Sequence, residues 1–256
     1  MTTLNVGAAA SARAQALLRW LRRRGSDVLV LSETSAGPGT DLLVTGLRDC
    51  GYQVSGACEP RDRGVLIAAR GDAFERAAVS ASVTLSSRAV CVELEGSTAL
   101  NILGVYVPSR DRSPSKIERK RNFIASLLSC LESMEPEVRD SLLIVGDFNV
   151  VSRHHDPPLR GYFQFEYDLF DTLDKFGFTP AHELRPSESF PHSWIGRTGT
   201  GYLYDYVFVG QALRDTVTKC QYLHGPRETR LTDHAAVTIS CEFDEAAPVA
   251  SYTSVS

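Results

Sequence analysis

No stretch of this sequence approaches the ~20 consecutive apolar residues that cross a bilayer, so no membrane-spanning segment is expected. The opening Met1–Val6 runs directly into strand-like sequence. It lacks the charged, apolar and cleavage-site succession of an export signal, and a cytoplasmic location is expected. The six cysteines (Cys50, Cys58, Cys91, Cys130, Cys220, Cys241) form no C-x-x-C pair. Zinc and redox spacings are therefore missing, and a reduced compartment fits better than a disulfide framework. The sequence also lacks a G-x-S-x-G elbow, a G-x-x-x-x-G-K-[ST] loop, internal repeats and any low-complexity linker.

What is present is a chain of 256 residues, 43% hydrophobic and 23% charged, ample for one large core and unlike a disordered chain. The net charge of −4 hides a split: residues 1–128 are basic overall and residues 129–256 acidic. The densest basic stretch is Ser109–Arg121, which reads either as a surface for a polyanion or as a solvated helix start.

Along the chain, Thr3–Val6 reads as a strand and Ala12–Arg24 as a helix stopped by Gly25. Val28–Leu31 is a continuous apolar run, as in a strand buried on both faces. A helix over Asp41–Cys50 and strands at Tyr52–Ala57, Gly64–Ala69, Ala89–Glu95 and Ala99–Tyr106 follow, the last two joined by a hairpin turn over residues 95–98. Ser115–Met134 is an amphipathic helix and Leu142–Val145 another buried strand. A helix near Tyr167–Phe176 precedes strands at His192–Ile195, Tyr204–Val209, Val217–Tyr222 and Ala235–Phe243. We expect one domain over residues 1–245, built from two packed sheets with helices outside, and a flexible tail over 246–256.

Polar residues gather at the ends of these strands: Asn5, Glu33, Asp147 and Asn149, with Asp205, Asp233 and His234 near others. A carboxylate after an apolar run is costly unless it meets solvent, a donor or a cation. Oxygen donors of this kind suit Mg²⁺ or Mn²⁺. Taken singly, each has an ordinary reading. Glu33 reads also as a solvated acid, Asp147 and Asn149 as an Asx-turn, and Asp233-His234 as a cap.

Together the motifs Leu4-Asn5-Val6, Leu31-Ser32-Glu33-Thr34, Val105-Tyr106-Val107-Pro108, Gly146-Asp147-Phe148-Asn149 and Thr232-Asp233-His234 resemble the endonuclease/exonuclease/phosphatase superfamily, in its order. Ser193-Trp194 and Tyr204–Val209 extend the resemblance to the exonuclease III-type abasic-site endonucleases. It spans roughly residues 3–243. The resemblance implies an α/β (α+β) four-layer sandwich, two mixed sheets face to face between helices. It implies that Glu33, Asn5 and Asp233 serve the metal, Mg²⁺ or alternatively Mn²⁺. Asp147 would orient or deprotonate the attacking water, with Asn149 supporting it. His234, held by Asp205, and Tyr106 would contact the phosphate. Arg110 and Arg112, just after Pro108, would meet flanking phosphates. Lys116, Lys120 and Arg121 are expected on the exposed helix face.

Three positions depart from the family's pattern. Gly7 replaces a second Asn or Asp, Leu203-Tyr204-Asp205 replaces Arg-Ile-Asp, and Ser109 replaces a common amide. They leave the catalytic set in place and bear on abasic-site specificity. The expected function is a divalent-metal-dependent phosphodiesterase acting on DNA, as abasic-site endonuclease, 3′-5′ exonuclease or both, working as a monomer. The alternatives are a phosphatase or phosphodiesterase on a small phosphoester, lipid headgroup or RNA, and a binding module without catalysis.

Overall fold

Val28–Leu31 is buried along its whole length because the strand it begins has apolar layers on both faces. Val28 and Val30 meet Val65, Ile67, Val145 and Ile239 in one layer. Leu29 and Leu31 point the opposite way, toward Leu17, Leu21, Leu43 and Leu47. This alternation follows from the two-residue period of a strand. A third layer gathers Leu103, Ile144 and Phe208 with Phe123, Leu127 and Leu173. The order of layers is helix, sheet, sheet, helix: the α/β four-layer sandwich that the sequence implies.

The computed structural model describes residues 1–95, 100–187 and 190–243. One six-stranded sheet runs Val217–Leu223, Ala236–Cys241, Thr2–Asn5, Val28–Ser35, Arg63–Ala69, Gln53–Ser55. The other runs Ala73–Glu75, Ala89–Leu94, Leu100–Tyr106, Leu142–Asp147, Asp205–Val209, Thr179–Pro180. Each sheet is mixed and has one parallel pair: Thr2–Asn5 with Val28–Ser35, and Leu100–Tyr106 with Leu142–Asp147. Parallel neighbours need a crossover, here the helices Ser11–Arg24 and Pro114–Glu132. The carboxyl ends of these strands carry Asn5, Glu33, Tyr106 and Asp147. Such ends are where open α/β sheets present a crevice to ligands.

Several elements differ from the sequence expectation. The Val28 strand continues through Glu33 to Ser35, and its register with Arg63–Ala69 slips between Leu31 and Thr34. The helix expected near Tyr167 starts at Gln164, where Glu166 turns back to accept the Phe163 backbone N–H at 2.8 Å. Three short elements, Ala73–Glu75, Ala77–Ser82 and Pro136–Asp140, carry too little periodic sequence to announce themselves. The expected hairpin turn after Glu95 and the tail from Ala246 lie outside the described residues.

Candidate active site

Gly146 lets the Asp147 strand end where it does. Its φ is +141°, and a Cβ there would sit 2.0 Å from the Val105 carbonyl oxygen. Only glycine permits that approach. Two non-glycine residues at the same edge, Glu33 (φ +53°) and Asn149 (φ +49°), occupy the left-handed region. Both are held there. The Ala8 N–H donates to the Glu33 carbonyl at 2.8 Å, and the Asn149 N–H to Asp147 Oδ1 at 2.8 Å. Backbone strain of this kind is retained where the surroundings over-determine it, as at reactive sites.

Asn5 joins the two sheets. The Gly7 N–H donates to Asn5 Oδ1 at 2.8 Å, which turns the amide nitrogen toward the acids. Asn5 Nδ2 donates to Glu33 Oε2 at 3.0 Å and to Asp147 Oδ2 at 2.8 Å, and lies 3.5 Å from His234 Nε2. Asn149 Nδ2 donates to the Val107 carbonyl at 3.0 Å and to Asp147 Oδ2 at 3.2 Å. His234 Nδ1 lies 2.6 Å from Asp205 Oδ2, with both residues buried. Asp205 is in turn fixed by its N–H donating to Ser193 Oγ at 3.0 Å and by the Tyr222 hydroxyl on its carbonyl at 3.1 Å.

The electrostatics separate these groups. Burial, then the neighbouring Asp205, pushes the Asp147 carboxyl up to about 7. Burial opposes charge on His234, but the Asp205 carboxylate, aided by Asp147 and Asp233, outweighs it and holds the imidazole up at about 10. Near neutrality His234 is thus a cation beside an acid poised to exchange a proton. Burial, with Asp147 and Glu33 nearby, keeps the Tyr106 phenol protonated and available as a donor.

The donor set fits a hard divalent cation. Glu33 and Asp147 converge from different sheets on a single amide nitrogen, leaving negative charge in excess. Asp205 Oδ1 is buried without a partner among the described residues. Donor atoms of Asp147, Asp205 and His234 lie within 4.8 Å of one another. Of the acids around Asn5, Glu33 is half-buried and reachable from solvent, whereas Asp147 is buried behind it, so Glu33 is the carboxylate best placed to meet a cation.

The remaining predicted residues are placed less centrally. Asp233 is exposed and accepts from Trp194 Nε1 at 2.9 Å; no hydrogen bond joins it to Glu33 or Asn5 among the described residues. Arg110 is drawn inward rather than offered to solvent. Its Nε donates to Glu166 at 2.9 Å, another nitrogen meets the same carboxylate, and its guanidinium lies 4.3 Å from the Phe163 ring centroid. Arg112 remains exposed.

Lys120 corrects an expectation. It is 1% exposed, its ammonium 2.7 Å from the Asn149 carbonyl and 2.7 Å from Glu166 Oε1. The signal was its spacing: residues 120, 123, 124 and 127 share one helix face, and the other three are core. Lys120, Glu166 and Arg110 thereby brace the Asn149 loop from below. Beside it, a cavity of about 340 Å³ is walled by Tyr162, Trp194, Tyr202 and Tyr204. Gly7, where the family's second polar ligand is missing, has φ +55°, and Arg13 donates to the carbonyls of Val6 and Gly7 beside it.

A four-layer sandwich with an Asp-His pair and converging acids at its parallel-strand ends defines a hydrolase of phosphoric esters. The chain belongs to the Endonuclease/Exonuclease/phosphatase family, whose profile matches residues 2–234. Its members depend on divalent metal, and this chain carries a cluster of two acids and a histidine, Asp147, Asp205 and His234, at the edge described above. Similar solved structures include an AP endonuclease from Archaeoglobus fulgidus (TM-score 0.78, 17% identity, covering 94% of this chain and 98% of that one). A 3′-5′ exonuclease from Neisseria meningitidis gives a TM-score of 0.76 at 21% identity, covering 94% and 99%. A 3′ phosphatase from Neisseria, bound to a product DNA hairpin, gives 0.73 at 20%, covering 94% and 98%. At these identities the likeness is one of fold. A search of curated proteins by sequence finds no match.

Proposed function

We propose that this chain hydrolyses phosphodiester bonds of DNA with Mg²⁺, as an abasic-site endonuclease, a 3′-5′ exonuclease or both. The observation that carries this reading is the disposition of His234. Asp205 takes its Nδ1 side, and both amide protons of Asn5 go to Glu33 and Asp147. Among the described residues, the Nε2–H of the imidazolium is left beside Asn5 without an acceptor of its own. A phosphoryl oxygen supplies that acceptor, and charge-assisted bonds of this kind are the strong ones.

In this reading Glu33 and Asn5 hold the cation, and Asp233 completes the negative rim. When bound, the ion polarises the phosphoryl oxygens as a Lewis acid. Asp147 takes the proton of the attacking water, its pKa suiting that task, while Asn149 fixes the carboxylate by two hydrogen bonds. His234 and Tyr106 donate to the phosphate where charge accumulates. Arg112, exposed on the loop after Pro108, meets a flanking phosphate. DNA as substrate is supported by the neighbours named for acting on abasic sites or bound to a DNA hairpin. The chain would act as a monomer from the cytoplasm.

The test is cleavage, with Mg²⁺ and with Mn²⁺, of abasic duplex, plain duplex, single-stranded DNA, RNA and a chromogenic phosphodiester, beside Asp147→Ala. DNA cleavage lost in the variant supports the proposal. Turnover of only the chromogenic ester or RNA moves the substrate to the other class, a reading favoured by the commitment of Arg110 to Glu166.

A further inference from the structure

A single exposed phenylalanine needs no explanation, but the seat of Phe163 is specific. It is 41% exposed, just before the helix Gln164–Lys175, and its ring lies on the guanidinium of Arg110 at 4.3 Å. The Arg110 side chain is only 10% exposed, so it covers the inner face of the ring and leaves the outer face open. Arg110 itself is spent. It donates to the wholly buried Glu166 and to the Gly161 carbonyl at 2.8 Å.

Phe165 extends the surface. Its ring lies 5.9 Å from that of Phe163 with planes 17° from parallel, an offset arrangement, and Arg121 lies 4.9 Å from its centroid. Two rings, each paired with a guanidinium, thus form one ledge. It borders the candidate active site, because Arg110, Gly161 and Tyr162 wall the cavity of about 340 Å³ that Asn149 also lines. Arg112 and Arg160, on the same two loops, are exposed and have no ion pair among the described residues.

The outer face of Phe163 serves no core, since the ring belongs to none of the buried clusters among the described residues. An apolar partner seated there would have to desolvate the free charges of Arg112 and Arg160. A nucleotide meets both demands. Its base stacks on the ring, the guanidinium beneath adds a cation–π contribution, and its phosphates meet the arginines.

We infer that Phe163, backed by Arg110, is a stacking face for an unpaired base of a single strand running past the proposed site. Phe165 is the next step of the ledge, and Arg112 and Arg160 take flanking phosphates. Arg110 then acts through Phe163, as a positioning residue. The inference rests on the DNA reading above and narrows the substrate to strands with an unpaired base beside the cut. In an intact duplex the bases stack on one another and their faces are closed to Phe163.

The test is strand binding by the full chain without divalent metal, followed by fluorescence anisotropy of labelled oligonucleotides of equal length. The probes are a thymidine DNA strand, the same backbone with abasic spacers throughout, a DNA duplex and the matching RNA strand. The base-bearing DNA strand should bind about fivefold or more tightly than the base-free one. Phe163→Leu should abolish that preference while the base-free strand and the duplex bind as before, at unchanged melting temperature. Phe163→Trp should keep the preference, and its added indole fluorescence should be quenched by the base-bearing strand alone. That variant also keeps the test intact if Phe163→Leu fails to fold. Equal affinity of the parent for base-bearing and base-free strands overturns the inference. So does an undiminished preference in Phe163→Leu, or equal quenching of Phe163→Trp by both strands.

RNA bound in preference to DNA, with the same dependence on Phe163, keeps the stacking face and changes only the sugar of the strand. Cleavage is measured separately. Stacking without cleavage sinks the phosphodiesterase reading alone, and cleavage with binding indifferent to Phe163 sinks the stacking face alone.

Discussion

Asp147 and Asp205 are directly opposed residues on adjacent antiparallel strands. Like charges in that arrangement repel. The fold tolerates them because Asn5, Asn149 and His234 surround the pair with donors.

Relieving that repulsion should stabilise the metal-free protein. The Asp147 carboxyl is raised from 3.8 to about 7, so stability is lost as pH rises through that interval. Above pH 7, Asp147→Asn should therefore be more stable than the parent by about 1–3 kcal/mol in denaturant unfolding. The same variant should lose catalysis by roughly a hundredfold or more. A destabilised Asp147→Asn would show that its hydrogen bonds matter more than its charge.

Removing the other acid should shift a pH profile. With Asp205→Asn, only Asp147 and Asp233 remain to offset the burial that opposes charge on His234, whose pKa falls from about 10. The alkaline limb of kcat/KM should move to lower pH, leaving residual activity at the acid end. A limb that stays in place would assign it to another group.

Lys120→Met should be costly. It leaves the wholly buried Glu166 with Arg110 alone, and breaking one partner of a buried ion pair costs about 3–5 kcal/mol. It also frees the Asn149 carbonyl, so kcat should fall in the fraction that remains folded. Chemical unfolding and single-turnover rates measure the two effects separately.

His182 provides a pH test at a group outside the proposed site. Its ring packs against Phe190, Tyr206 and Tyr222, and burial lowers its pKa from 6.5 to about 4. Between those values the unfolded chain takes a proton that the folded chain refuses. Its contribution is full above pH 6.5 and falls as pH drops to 4, by up to about 3 kcal/mol. His182→Phe should unfold with a flatter acid dependence than the parent over that interval, and parallel curves would refute this.

The strands and most helices were legible because their burial is written locally. Val28–Leu31 and Leu142–Val145 are apolar throughout, as two-faced burial demands. The polar residues that follow them mark the edge proposed as the site for the same reason. What could not be read depends on partners distant in sequence. Nothing near Arg110 announces Glu166, 56 residues on, and so its charge looked free. Lys120 could have been read, since its helical spacing outranked its charge. The stack of Arg110 on Phe163 carries no motif, and only the folded chain assembles it.

The order of strands has a consequence for biogenesis. The first sheet sets Ala236–Cys241 beside Thr2–Asn5, and the Thr232 hydroxyl donates to the Asn5 carbonyl at 2.7 Å. Asn5 is synthesised 229 residues before the His234 it must meet. A growing chain therefore carries Asn5, Glu33 and Asp147 long before His234, and the Asn5–His234 juxtaposition forms only once both ends of the domain are in place. For a hydrolase of phosphoric esters, the edge proposed as its site is thus complete only when the last strand has docked beside the first.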